Sequence, residues 1–198
     1  MIKAIIFDSD GMVTPSKRFS DDLDVKFGIS LQKSILFFKN EFQKCLISDA
    51  DLKEEFQKYL KKWECDKSVD FLIKYWFESQ KECDKRVLLK IKELQNMRIK
   101  CYLATNQEKY RTEYMKNEMR FKDIFDDIFS SAEIGLKKPD QTFFEYIYKK
   151  INKNNILKNE IMFWDDEPKH IEQANKYGFN SFVYKNFIEF EDIVNKFI

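Results

Sequence analysis

The chain has 198 residues, enough for one domain or for one core carrying a modest insertion. Its 35 basic and 34 acidic side chains leave a net charge of +1, which gives no electrostatic reason to expect nucleic acid or an anionic membrane as partner. Hydrophobic residues at 43% support a packed core and argue against a disordered chain, and no apolar run approaches the roughly 18 residues of a spanning helix.

Residues 2–7 are apolar except for Lys3 and end at Asp8-Ser9-Asp10-Gly11. They predict a buried strand, and a strand without polar alternation predicts a parallel sheet. Asp8 and Asp10 also cut the apolar stretch short of a signal-peptide core. Between about Ser16 and Met97 the only glycine or proline is Gly28, so this stretch is expected to be mostly helix. Within it Leu31, Ile35, Phe38 and Phe42 recur at helical spacing. So do Leu52, Phe56, Tyr59 or Leu60, and Trp63, and then Val69, Leu72 or Ile73, and Trp76. Three amphipathic helices with no strand between them predict an inserted all-helical domain over residues 16–84, with Phe38, Phe42, Trp63 and Trp76 in its core.

The pattern then alternates. A helix marked by Val87, Ile91 and Leu94 precedes a strand at 99–104, and a helix near 108–119 precedes a short strand at 128–130. A helix with Phe143, Ile147 and Ile151 on one face precedes a strand at 161–164. A helix at 168–177, a strand at 181–184 and a helix at 188–197 complete the chain. Such alternation predicts an α/β fold: a Rossmann-like open parallel sheet with helices on both faces, built from residues 1–15 and 85–198. The four cysteines (Cys45, Cys65, Cys83, Cys101) lie 18 or 20 residues apart without a CxxC. They are expected to be reduced packing residues of a cytoplasmic protein.

Open parallel sheets bind ligands at the carboxyl ends of their strands. The first strand ends at Asp8, Ser9 and Asp10; the strand at 99–104 ends at Thr105 and Asn106; the strand at 161–164 ends at Asp165 and Asp166. Lys138 follows Gly135 and precedes Pro139. Asp8 and Asp10, two apart in an extended segment, can face one site. Four carboxylates in one cleft repel and raise one another's pKa, and a hard cation such as Mg²⁺ relieves that repulsion while accepting phosphate oxygens. Thr105, the backbone N–H groups after it and Lys138 would supply the remaining donors to a phosphate.

Asp8-Ser9-Asp10-Gly11, Thr105-Asn106, Lys138-Pro139 and Trp164-Asp165-Asp166 resemble, in order and spacing, the four motifs of the haloacid dehalogenase-like hydrolase superfamily. The helical insert resembles its cap in the commonest position, in the phosphatase branch. The resemblance implies a Mg²⁺-dependent phosphatase acting on a small phosphorylated metabolite. It makes Asp8 the nucleophile that forms an aspartyl-phosphate and Asp10 the general acid, then base. It places Thr105 and Asn106 on the phosphoryl group and uses Lys138 to balance charge. Asp8, the Asp10 carbonyl and Asp166 would hold the metal, with Asp165 in direct or water-mediated contact. An Asp at position 10 favours phosphate esters over carbon–halogen bonds, whose cleavage releases no alcohol needing a proton. A sugar phosphomutase and a catalytically idle binding module are the alternatives on this fold.

Met12, Trp164 and Glu167 depart from the family pattern. Met12 is expected to affect local packing only, Trp164 to crowd the site's rim, and Glu167 to point outward at a helix N-terminus. His170 reads as a surface helix residue, and Lys17 and Arg18 as surface charge near the cap hinge. Thr105 and Asn106 could also cap the following helix. The oligomeric state is not legible.

Overall fold

The computed structural model describes residues 1–198, the side chain of Asn154 excepted. β1 (Ala4–Phe7) is buried along its whole length, as a strand of four apolar residues covered on both faces should be. The insert follows: α1 (Phe19–Phe27), α2 (Leu31–Lys39), α3 (Glu41–Cys45), α4 (Leu52–Lys62) and α5 (Val69–Ser79). Next come α6 (Lys85–Asn96), β2 (Lys100–Thr105), α7 (Lys109–Asn117), β3 (Asp127–Ser130), α8 (Ser131–Ile134) and α9 (Gln141–Ile151). β4 (Ile161–Asp165), α10 (Pro168–Tyr177), β5 (Asn180–Val183) and α11 (Phe187–Phe197) close the chain.

The five strands form one parallel sheet in the order β3-β2-β1-β4-β5. Alternation of side chains along the strands gives the sheet two apolar faces. Ile5, Phe7, Leu103 and Trp164 pack with Val87 and Ile91 of α6 and Phe190 of α11. Ala4, Ile6, Ala104 and Phe163 pack with Phe144 and Ile147 of α9 and Ala174 of α10. The Rossmann-like α/β class with helices on both faces is therefore as the sequence predicts.

The chain builds β2 and β3 on one side of β1 and then crosses to β4 on the other. The reversal beside β1 creates the crevice where open sheets bind ligands. Phe7 pairs with Leu103 on one side and with Trp164 on the other, so Asp8 leaves the sheet between the ends of β2 and β4.

The insert has its own core, in which Leu23, Phe37, Phe56 and Leu72 are fully buried and Phe19 stacks on Trp76 at 4.7 Å between ring centroids. Two features differ from the sequence reading. It set no separate helix at α1, although Phe19, Leu23 and Phe27 carry i, i+4 spacing. The helix expected to run through Phe42 breaks at Asn40, and the aromatic ring it buries completely is Phe37, which leaves Ile35, Phe38 and Phe42 half-buried.

Two connections tie the insert to the sheet, and the Asp84 N–H donates to the Val13 carbonyl at 2.9 Å to join them. A seam of polar contacts closes the insert onto the sheet domain. Buried Arg111 of α7 donates to the carbonyls of Phe77 (3.0 Å) and Gln80 (2.9 Å) at the end of α5. The Tyr110 hydroxyl donates to Asp51 at 2.8 Å, and the Ser48 hydroxyl to the Ala132 carbonyl at 2.8 Å. Among the described residues no helix is long and apolar enough to cross a membrane. The four cysteines are free thiols, and burial pushes the Cys45 thiol up to about 12, in keeping with a packing role.

Candidate active site

Asp8 sits one residue past β1, where its N–H still donates to the Trp164 carbonyl at 2.9 Å. The chain then turns tightly: the N–H groups of Val13 and Thr14 both donate to the Ser9 carbonyl, at 2.9 and 2.8 Å. Gly11 makes the turn possible, with φ of +85°, and a Cβ there would overlap the Asp166 carboxylate. The first and last motifs thus meet through a glycine that leaves no room for a side chain.

Lys138 is the electrostatic centre. Its buried ammonium donates to Asp8 Oδ1 at 2.7 Å, to Asp165 Oδ2 at 2.6 Å and to the Ala104 carbonyl at 2.9 Å. Asn106 holds the Lys138 backbone from both sides: its Oδ1 accepts from the Lys138 N–H and its Nδ2 donates to the Lys138 carbonyl, each at 2.9 Å. The neighbouring Lys137 instead donates to Gln43 of the insert.

Asp165 receives Lys138 on one oxygen. Its other oxygen accepts from the Glu167 N–H and lies 2.9 Å from His170 Nδ1. Burial alone would raise this carboxyl, but Lys138 and His170 outweigh it and hold Asp165 at about 2. Asp166 differs. It accepts no hydrogen bond among the described residues, and burial, then Asp165 and Glu167, push it up to about 6. Burial also drives Asp8 upward against the pull of Lys138, with Asp165 and Asp10 adding to the rise.

Carboxylate oxygens of Asp8, Asp165 and Asp166 lie within 4.8 Å of one another. An all-oxygen set of partly unneutralised carboxylates fits a hard divalent cation. A small cavity of about 200 Å³ opens over this cluster, lined by Asp8, Asp10, Thr105, Asn106, Lys138 and Asp166, together with Ser16, Glu167 and His170. The residues expected at the site from sequence are thus brought together, with Asp165 just beneath the surface.

Asp10 points toward the insert. Its two oxygens accept from Thr14 Oγ1 at 2.9 Å and Gln107 Nε2 at 2.7 Å. Gln107 and Thr14 were not anticipated, and no spacing rule would have found them, because each acts by reaching a side chain whose position depends on the fold. Several sequence expectations are corrected. His170 is buried instead of lying at the surface, since its Nδ1 lies 2.9 Å from the buried Asp165 carboxylate. Trp164 does not crowd the rim: it is fully buried and packs on Phe182 and Phe190. Thr105 and Asn106 do not cap α7, because the Glu108 carboxylate accepts from the Tyr110 and Arg111 N–H groups. Phe38 and Phe42 pack against the insert core, on Phe37 and Trp76, but stay half-buried and also line a second cavity that Asp10 reaches; Lys17 and Arg18, exposed as expected, line it too. Met12 is buried packing and Glu167 is exposed, as expected.

The fold and the four assembled motifs agree with the comparisons to known proteins. Residues 5–184 match the family model described as haloacid dehalogenase-like hydrolase. The chain belongs to this family of hydrolases. It is similar to a sesquiterpene phosphatase, AstK, of Aspergillus oryzae, with 31% identity over 96 residues, 48% of this chain and 47% of the relative. The matched segments span half or less of the curated relatives' lengths. In fold it resembles a family enzyme, BT-2542, of Bacteroides thetaiotaomicron, with TM-score 0.81, 16% identity and 98% of each chain covered. That enzyme has also been solved in complex with magnesium and inorganic phosphate. A predicted hydrolase of the same family from Porphyromonas gingivalis superposes with TM-score 0.80 at 16% identity, covering 99% of this chain and 97% of the other.

Proposed function

We propose that the protein is a magnesium-dependent phosphatase of a small phosphorylated substrate, working through an aspartyl-phosphate on Asp8. The observation that carries this reading is the Lys138 ammonium shared between Asp8 and Asp165, with Asp166 close by and open. It is a site in which Asp8 and Asp165 share one buried ammonium while Asp166 is left to bind a cation. The Bacteroides enzyme's complex with magnesium and phosphate, and the phosphatase activity in the Aspergillus relative's name, support it.

In this reading Asp8, Asp166 and the Asp10 carbonyl would hold Mg²⁺, with Asp165 in direct or water-mediated contact. When bound, the ion neutralises charge on the phosphoryl oxygens. Thr105 and the Asn106 backbone bind the phosphoryl group, and Lys138 opposes the protonation that burial favours at Asp8 and stabilises charge that develops during transfer. An Asp8 oxygen attacks phosphorus, the bond to the leaving oxygen breaks, and Asp10 gives that oxygen a proton. Asp10 then takes a proton from water, which attacks the aspartyl-phosphate and releases inorganic phosphate, regenerating Asp8. Thr14 and Gln107 aim the Asp10 carboxyl at the boundary between the two cavities, where a leaving alcohol would sit. The helical insert, proposed here as a cap over residues 16–84, covers that alcohol and excludes water.

The test is phosphate release from p-nitrophenyl phosphate with and without Mg²⁺. Turnover should require the ion and disappear in Asp8→Asn with the fold intact by circular dichroism. Undiminished turnover in that variant would remove Asp8 as nucleophile. Incorporation of oxygen from labelled water into released phosphate separates hydrolysis from a phosphomutase.

A further inference from the structure

The second cavity carries information about the substrate that the phosphoryl site does not. Its volume is about 530 Å³, within the range of roughly 300–1,000 Å³ typical of pockets that enclose small organic molecules. It adjoins the smaller cavity: Asp10 and Asn106 line both. A molecule whose phosphate sits over Asp8 therefore extends past Asp10 into this space.

The walls are apolar where they come from the insert. Ile35, Phe38, Phe42, Leu46 and Trp76 present carbon surface. Most of the polar side chains beside them are already committed, leaving the Ser20 hydroxyl and the cations Arg18 and Lys39. Trp76 Nε1 donates to Gln80 Oε1 at 3.1 Å, and Gln80 Nε2 donates to the Lys17 carbonyl at 2.8 Å. Gln43 donates to the Phe38 carbonyl at 2.8 Å and accepts from Lys137 at 2.9 Å. Gln107 is bound to Asp10, and Asn106 to the backbone of Lys138. A sugar entering here would lose its hydroxyls' bonds to water and find few free partners, a costly exchange. An alkyl or aromatic body would lose nothing and would bury its surface against three aromatic rings. The exposed cations Arg18 and Lys39 favour approach of a doubly charged phosphate, whereas Lys17 is ion-paired with Asp22 at 2.7 Å.

We infer that the substrate is the phosphate monoester of a hydrophobic alcohol, with Phe38, Phe42 and Trp76 selecting it by its carbon body. This inference rests on the phosphatase reading and adds the substrate class to it.

The experiment uses the full chain with Mg²⁺ and a panel of ethyl, butyl, hexyl and octyl phosphate, with glycerol 3-phosphate and glucose 6-phosphate beside them. The value of kcat/KM should rise about three- to fourfold per added methylene (about 0.8 kcal/mol each) until the cavity is filled. The two polar esters should fall at least tenfold below butyl phosphate. Phe38→Ala should flatten the rise, lowering octyl phosphate more than ethyl phosphate. Ile35→Ser, on the same wall, gives the same readout if Phe38→Ala does not fold. A flat or falling chain-length series, or glucose 6-phosphate turned over as well as octyl phosphate, overturns the hydrophobic class while leaving the phosphatase reading standing. No phosphate released from any ester removes both.

Discussion

The rim of the sheet and the wall of the insert face each other across Asp10, yet they are built on opposite principles. At the rim, Asp8, Lys138, Asp165 and Asn106 are all fixed by hydrogen bonds before any substrate arrives. On the wall, Ile35, Phe38 and Phe42 are half-buried and offer area without directed bonds. Charge stabilisation depends on atoms held within a few tenths of an ångström, whereas apolar burial depends on area and tolerates repacking. On the proposed function, the difference teaches that the chemistry is rigidly specified by the sheet, while selectivity would rest in a part that can change without disturbing it.

The strongest way to break that contrast is at Lys138. Lys138→Met leaves Asp8 and Asp165 buried without their cation, and should cost about 3–5 kcal/mol in urea unfolding along with phosphatase activity. A variant as stable as the wild type would show that the rim is not held together electrostatically. Next comes the seam between the two regions. Burial raises Glu108, at the start of α7, from an ordinary value of 4.5 to about 7. Between those pH values the folded protein keeps a proton that the unfolded chain has released. The contribution of Glu108 is therefore greatest below pH 4.5 and declines as pH rises through 7, by up to about 3 kcal/mol. Unfolding curves at pH 4.5 and 7.5 should show a smaller decline in Glu108→Gln than in the wild type, the remainder coming from the raised Asp8 and Asp166 carboxyls.

Gly11→Ala tests how closely the motifs must approach. The positive φ and the collision with Asp166 predict a loss of about 1–3 kcal/mol, with weaker Mg²⁺ binding by calorimetry. Unchanged stability and metal affinity would mean that the turn has slack. The smallest effect is expected on the insert wall. Phe42→Ala removes a half-buried ring and should lower stability by only about 1 kcal/mol, seen as a small drop in melting temperature. A loss as large as that of Lys138→Met would erase the proposed distinction.

Much of this was legible in the chain itself. Residues 4–7 are apolar at every position, so β1 could only be a strand covered on both sides, and the positions of the acids fell at its end and at that of β4. Choosing Lys138 over Lys137 rested on the resemblance of Lys138-Pro139 to the family's motif, and the structure puts the first on Asp8 and the second on Gln43. The insert was legible as helix but not in detail. Periodicity locates an amphipathic face without saying what covers it, and Phe38 and Phe42 satisfy the same spacing as core residues while facing a cavity. His170 escaped for a related reason: one polar residue on a helix reads as solvated until its partner, Asp165, is placed within reach.

The alternation of strands and helices, the helical insert and the placing of acids at strand ends are consequences of local pattern, because hydrophobic period and strand ends are written in neighbouring residues. The hold of Gln107 on Asp10, the burial of His170 and the sharing of Lys138 between two carboxylates join residues 97, 5, 130 and 27 positions apart. Only folding could decide them, since which polar groups meet depends on how the sheet and its helices pack in three dimensions.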